Sequence, residues 1–203
     1  YLIKYFKGDD ETISGLAGVG DLYVSAAGGR NSRMGSYLGR GFTFKLAKKI
    51  GKMISTKYYL TEFSKDIIGV EVCSAIKNIY SMIIGAGQSL NASSNLFQKS
   101  VIEMSYLTKY FKGNHETTLG LAGVGDLYVS AAGGRNSRMG SYLGRGFTFK
   151  LAKKRFMPND TVEGEQLARE IGPFIMRKID KKRIPLMILL LKAILKNKKL
   201  KIN

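Results

Sequence analysis

With 203 residues, 44% of them hydrophobic, the chain has apolar surface enough for one ordinary folded domain and too much for a disordered one. Its 33 Lys and Arg against 15 Asp and Glu give a formal charge of +18, a balance that suits nucleic acid, an anionic membrane or a phosphate-bearing ligand. The basic residues are spread along the chain, which favours a lysine-rich solvated surface, and the densest run, Lys196 to Lys201, reads as a solvated tail. The lone cysteine, Cys73, excludes an intrachain disulfide and reads as a buried structural thiol in a reducing compartment. With a single histidine as well, a Cys/His zinc site is excluded and no metal is expected. The chain opens on Tyr1 and shows no signal peptide, and a cytoplasmic location is expected.

The first element is a repeat. Residues 15–49 and 120–154 are identical over 35 positions, and residues 1–14 match 106–119 with five differences. Solenoid repeats have shorter periods and diverge between copies, so a head-to-tail duplication fits better. A segment such as 106–154 is built to pack in one place, and that place is filled once. The expected division is therefore a peripheral duplicate over 1–49 and a helical domain over 50–203, since the second copy is continuous with the segments on both sides of it.

Residues 66–87 read as a long buried helix, apolar round most of its circumference. Glu71 and Lys77 near its middle, and Lys192 in the shorter apolar run 184–195, argue against membrane spans. Residues 95–111 read as an amphipathic helix closed by Gly113, and the glycines of 120–125 require a turn followed by a short helix over 126–132. Thr161 or Asp160 would cap a helix ending on Gly172, and Pro185 would open a last one reaching Leu195. Alternating strand patterns are nearly absent, so the expected fold is all-α.

Several residues stand out chemically. Lys77 is a charge inside an apolar run, which costs several kcal/mol (about 3–5) unless it is paired or functional; it either exchanges protons, snorkels outward or pairs with Glu71. Asp126 follows the Gly-rich turn, where a helix start favours a carboxylate, so it is either a plain cap or a ligand. Arg135 and Asn136, within GGRNSR, join a guanidinium suited to phosphate with glycines that permit close approach. GLAGVGD does not have the G-x-G-x-x-G order and lacks a βαβ setting, so it is no dinucleotide fingerprint.

DIIGVEVCSAIKNIY at 66–80, GLAGVGDLYVSAAGGRNSRMG at 120–140, TVEG at 161–164 and IPLM at 184–187 together resemble the C-terminal, substrate-binding domain of NAD(P)-dependent glycerol-3-phosphate dehydrogenases. The resemblance covers roughly residues 50–196. It implies an oxidoreductase that interconverts glycerol 3-phosphate and dihydroxyacetone phosphate, with NAD or NADP bound mainly by a Rossmann domain outside these residues. Without that domain the chain alone is expected to be inactive. The resemblance makes Lys77 the general acid/base and places Asp126, Gly134, Arg135 and Asn136 on the three-carbon substrate. Arg135 and Glu163 would touch the cofactor. Gly134 departs from the serine that the family often has there, so a hydroxyl contact to phosphate would be lost or replaced by backbone N–H. The implied partner is a small phosphorylated substrate, not nucleic acid, and a homodimer stays open. The alternative from another class is a non-catalytic module that holds a phosphorylated ligand or another protein.

Overall fold

The computed structural model describes residues 44–58, 61–88 and 92–202. Most of the duplicated segment 1–49 lies outside them. The chain divides into two compact units, Tyr1–Phe63 and Ser64–Asn203. In the first, helix α1 (Phe44–Ile54) runs straight through residues 49 and 50, where the repeat ends. It is closed by Thr61, whose hydroxyl donates to the Gly51 carbonyl at 3.1 Å and hydrogen-bonds the Ser55 hydroxyl at 2.8 Å.

The second unit holds α2 (Ile67–Gln88), α3 (Ser93–Tyr110), α4 (His115–Leu119), a wide turn (Leu121–Gly125), α5 (Asp126–Gly133), α6 (Arg135–Gly144), α7 (Phe149–Phe156), α8 (Glu163–Lys178) and α9 (Pro185–Leu195). No strand occurs among the described residues, so this unit is all-α as its sequence pattern requires. Helix α2 is the axle. It is long and apolar enough to cross a membrane, yet Cys73, Ile76, Ile79, Tyr80, Met82 and Ile83 are buried among the other helices. Each such side chain contributes about 1.5–3 kcal/mol through burial. Cys73 is the buried thiol expected, its sulfur 3.4 Å from the Thr108 hydroxyl.

Asp66 starts α2. Its carboxylate accepts from the Gly69 N–H at 2.9 Å, the Asn114 N–H at 2.7 Å and the Thr117 hydroxyl at 2.6 Å, so one side chain caps α2 and ties it to α4. Burial pushes this carboxyl up, but the three donors outweigh burial and hold it below the usual aspartate value.

Helix α6 packs tightly along α2 because Gly140 lies against the backbone: a Cβ there would collide with the Met82 carbonyl. The sequence did not suggest α6 or α7, since Met139 and Leu143 in α6, and Phe149 and Ala152 in α7, are their fully buried apolar residues. Helix α8 also departs from expectation. It begins at Glu163 with no side-chain cap from Asp160 or Thr161, and continues through Gly172 and Pro173 to Lys178. Gly172 serves packing instead of termination, with Leu191 and Leu195 of α9 filling the space a Cβ would take. At the end of α3 the left-handed residue is Lys112, with φ of 72°, and Gly113 follows it.

Candidate active site

Three helices bring their first residues to the middle of α2. Lys77 on α2 forms an ion pair and hydrogen bond with Asp126, the first residue of α5. It does not pair with Glu71, which is exposed on another face of α2. The pair is only partly closed off: side-chain exposure is 18% for Lys77 and 37% for Asp126. Asp126 does not cap a fresh helix. Gly125 before it is already helical, and the Asp126 N–H is taken by the Leu121 and Gly123 carbonyls. The carboxylate is thus left to the lysine.

A second group lies beside the next residue of α2. Asn136 donates from its side-chain nitrogen to Asn78 at 3.3 Å and to Glu163 at 3.0 Å, and its oxygen accepts from the Gly164 N–H at 2.9 Å. Glu163 also pairs with Arg135, whose side chain is 52% exposed. One amide therefore joins α2, α6 and the start of α8. Asn78 was missed from the sequence, although a polar residue directly after Lys77 in an apolar run was its available signal.

The break between α5 and α6 sets up the rest. Gly134 is extended and its N–H donates to the Ser130 carbonyl at 3.3 Å, so that N–H is not the one offered to a ligand. The first backbone bond of α6 is Arg138 N–H to the Gly134 carbonyl, at 3.0 Å, and no side chain caps this helix start. The N–H groups of Arg135, Asn136 and Ser137 thus have no acceptor within α6, the arrangement in which a helix start holds an anion. Arg135 adds an always-charged fork at the same place. The residues singled out in the sequence thus fall into two groups at consecutive positions of α2: Lys77 with Asp126, and Arg135, Asn136 and Glu163 joined to Asn78, while Gly134 bonds within the break between α5 and α6.

A family model described as the NAD-dependent glycerol-3-phosphate dehydrogenase C-terminus matches residues 1–62 and 66–202. The chain belongs to this family. It is 35% identical over 115 residues to an NADP(+)-dependent glycerol-3-phosphate dehydrogenase of Archaeoglobus fulgidus, a match covering 52% of this chain and 34% of the relative. It is 38% identical over 111 residues to a glycerol-3-phosphate dehydrogenase [NAD(P)+] of Phytoplasma australiense, covering 51% of this chain and 34% of the relative. The match thus spans about a third of the length of these curated relatives. Among solved structures, a glycerol-3-phosphate dehydrogenase of Coxiella burnetii superposes with a TM-score of 0.67 at 26% identity, over 77% of this chain and 49% of that one. The enzyme of Saccharomyces cerevisiae shares the fold, with a TM-score of 0.67 at 20% identity.

Proposed function

We propose that this chain supplies the substrate-binding and acid/base half of an NAD(P)-dependent glycerol-3-phosphate dehydrogenase, acting on glycerol 3-phosphate and dihydroxyacetone phosphate. The observation that carries the reading is the Lys77–Asp126 pair on the same stretch of α2 as an uncapped helix start bearing Arg135. A three-carbon phosphate needs both: an anion cradle at one end and a proton donor or acceptor at the other.

The described helices fit an edge contact to NAD or NADP and not its main cradle. Arg135 and Glu163 are charged and partly exposed, suited to a phosphate oxygen and an amide or hydroxyl hydrogen, while no strand precedes a Gly-rich turn here. When bound, the cofactor supplies or accepts the hydride at the substrate's middle carbon. Lys77 then acts at the oxygen on that carbon. Its ammonium stabilises the negative charge that develops in reduction and donates a proton there; in oxidation the amine takes the hydroxyl proton. Asp126 holds the lysine in place and accepts from a substrate hydroxyl. Arg135 exchanges Glu163 for the phosphate, a small change because an exposed ion pair is worth only about 0–1 kcal/mol. Asn136 keeps Glu163 and Asn78 fixed while this happens.

Calorimetric titration of the chain with glycerol 3-phosphate, against glycerol and inorganic phosphate, tests the reading. Glycerol 3-phosphate should bind more tightly than either fragment, and Arg135→Gln should remove the advantage over glycerol. Equal affinity for glycerol and glycerol 3-phosphate would overturn the site. Binding without turnover, once the family's cofactor domain is supplied, would favour a phosphate-binding module.

A further inference from the structure

The C-terminal lysine run is not the free tail its composition suggests. Leu200 is buried and Ile202 packs on the same core. Asn197 accepts a hydrogen bond through its side-chain oxygen from the Lys150 N–H at 3.0 Å. Lys198, Lys199 and Lys201 are thus held flat beside the first turn of α7 with their side chains exposed. On α7 itself Phe149 and Ala152 face inward, while Lys150, Leu151, Lys154 and Arg155 are exposed. At 3.6 residues per turn these four fill one stripe, roughly 140° wide, with Leu151 between Lys154 and Arg155. Leu151 is 47% exposed, an apolar side chain ringed by cations.

One described carboxylate borders this charge: Glu165 lines a depression with Lys150, Lys153 and Lys154, and its ion pair is made with Arg169, so the face keeps its positive excess. Asp160, which lines the adjoining depression with Lys153, is paired with Arg138. The duplication repeats the motif in the other unit: FKLAKK recurs at 44–49 in α1, which continues through Lys52 to a 75% exposed Met53.

We propose that the outer face of α7, with the pinned segment 198–201, docks on an anionic lipid bilayer, the cations meeting headgroups and Leu151 entering the boundary with the acyl chains. Single-stranded nucleic acid is the weaker fit because base stacking needs open aromatic faces. Tyr142 already stacks on Phe156, with centroids 4.4 Å apart, and Phe147 packs edge-on against the same ring. A leucine at the centre of the charges gains from an acyl boundary and nothing from a phosphate backbone. Each cation near an anionic surface raises partition by roughly fivefold.

Sedimentation of the full chain with phosphatidylcholine vesicles, with and without phosphatidylserine, tests this at about 0.1 M salt. The chain should partition to the phosphatidylserine vesicles only, and less as salt screens the charges. Replacing Lys150, Lys154 and Arg155 together with Gln should lower partition by about a hundredfold. Leu151→Ser should lower it several-fold while leaving thermal unfolding unchanged. No preference for anionic vesicles, or a triple variant that partitions like the parent, would overturn the proposal. So would an inert Leu151→Ser combined with tighter binding to DNA at the same salt, which would assign the patch to nucleic acid.

Discussion

Lys77 and Tyr80 stand one turn apart on α2, and each meets a carboxylate, but the two meetings are built differently. Lys77 faces Asp126 across an ion pair that water reaches from both sides. Tyr80 donates its hydroxyl at 2.9 Å to Glu103, which is 3% exposed and has no cation beside it. Glu103 is satisfied instead by the Leu186 and Met187 N–H groups, at 2.7 and 3.0 Å, in the first turn of α9, where the helix dipole favours negative charge. Burial pushes the Glu103 carboxyl up, and the three donors only partly draw it back. Tyr80 is pushed well above its ordinary value by its own burial and by the neighbouring Glu103 charge. An open ion pair gives up its partner at little cost, so it can pass to a ligand. A sealed carboxylate cannot be released without stranding buried donors, so it serves to fix α9 against α2 and α3.

The sharpest way to break this contrast is Lys77→Ala in enzyme assembled with its cofactor domain. Steady-state kinetics should show kcat reduced by about a hundredfold or more, with urea unfolding of the chain changed by less than about 1 kcal/mol. Near-normal kcat would make Lys77 a structural residue and end the distinction. Glu103→Ala should do the reverse, lowering unfolding free energy by about 2–4 kcal/mol while glycerol 3-phosphate affinity in the folded protein stays the same. Glu103→Gln should cost less because one acceptor oxygen remains. If Glu103→Ala unfolded like the parent, the sealed cluster would not be holding α9.

Arg135→Gln comes next, with an expected loss of about ten- to a hundredfold in glycerol 3-phosphate affinity by calorimetry. Arg135→Lys should restore only part of it, since an ammonium cannot present the planar fork.

The smallest effects are in pH dependence, and their signs are opposite. Asp66 is held below its unfolded value near about 3.9, so its contribution is present above that pH and is lost as pH falls through the folded value. Glu103 is held above its unfolded value near about 4.3, so its contribution is present below that pH and is lost as pH rises through the folded value. Urea unfolding followed from acid to neutral pH should show the acid loss reduced in Asp66→Asn and the loss on rising pH reduced in Glu103→Gln. The same profile in parent and both variants would show that neither carboxyl is linked to folding.

Much of the skeleton could be read locally. Ile67–Gln88 and Pro185–Leu195 follow from long apolar runs and from a proline at a helix start, and both formed within a residue or so of the expected ends. Helices α6 and α7 could not be read that way. Gly140 in α6 lowers helix propensity, and its value emerges only when α2 lies against it. In the same way Gly172 looked like a stop and became a packing surface once α9 was beside it.

For the site, the sequence by itself determined which residue types were unusual where they stood: a lysine in an apolar run, an aspartate after glycines, an Arg-Asn pair between glycines. It did not determine their partners. Lys77 had Glu71 close by in sequence, but six residues along a helix put the two on different faces, and it pairs instead with Asp126, 49 residues away. Glu103, Leu186 and Tyr80 form one cluster across separations of 83 and 23 residues, invisible to any local pattern. Helical periodicity is a property of neighbours along the chain and can be read from them. Which carboxylate is sealed and which is left open to a ligand depends on how α3, α5, α6, α8 and α9 close around α2, and only the packed structure decides that.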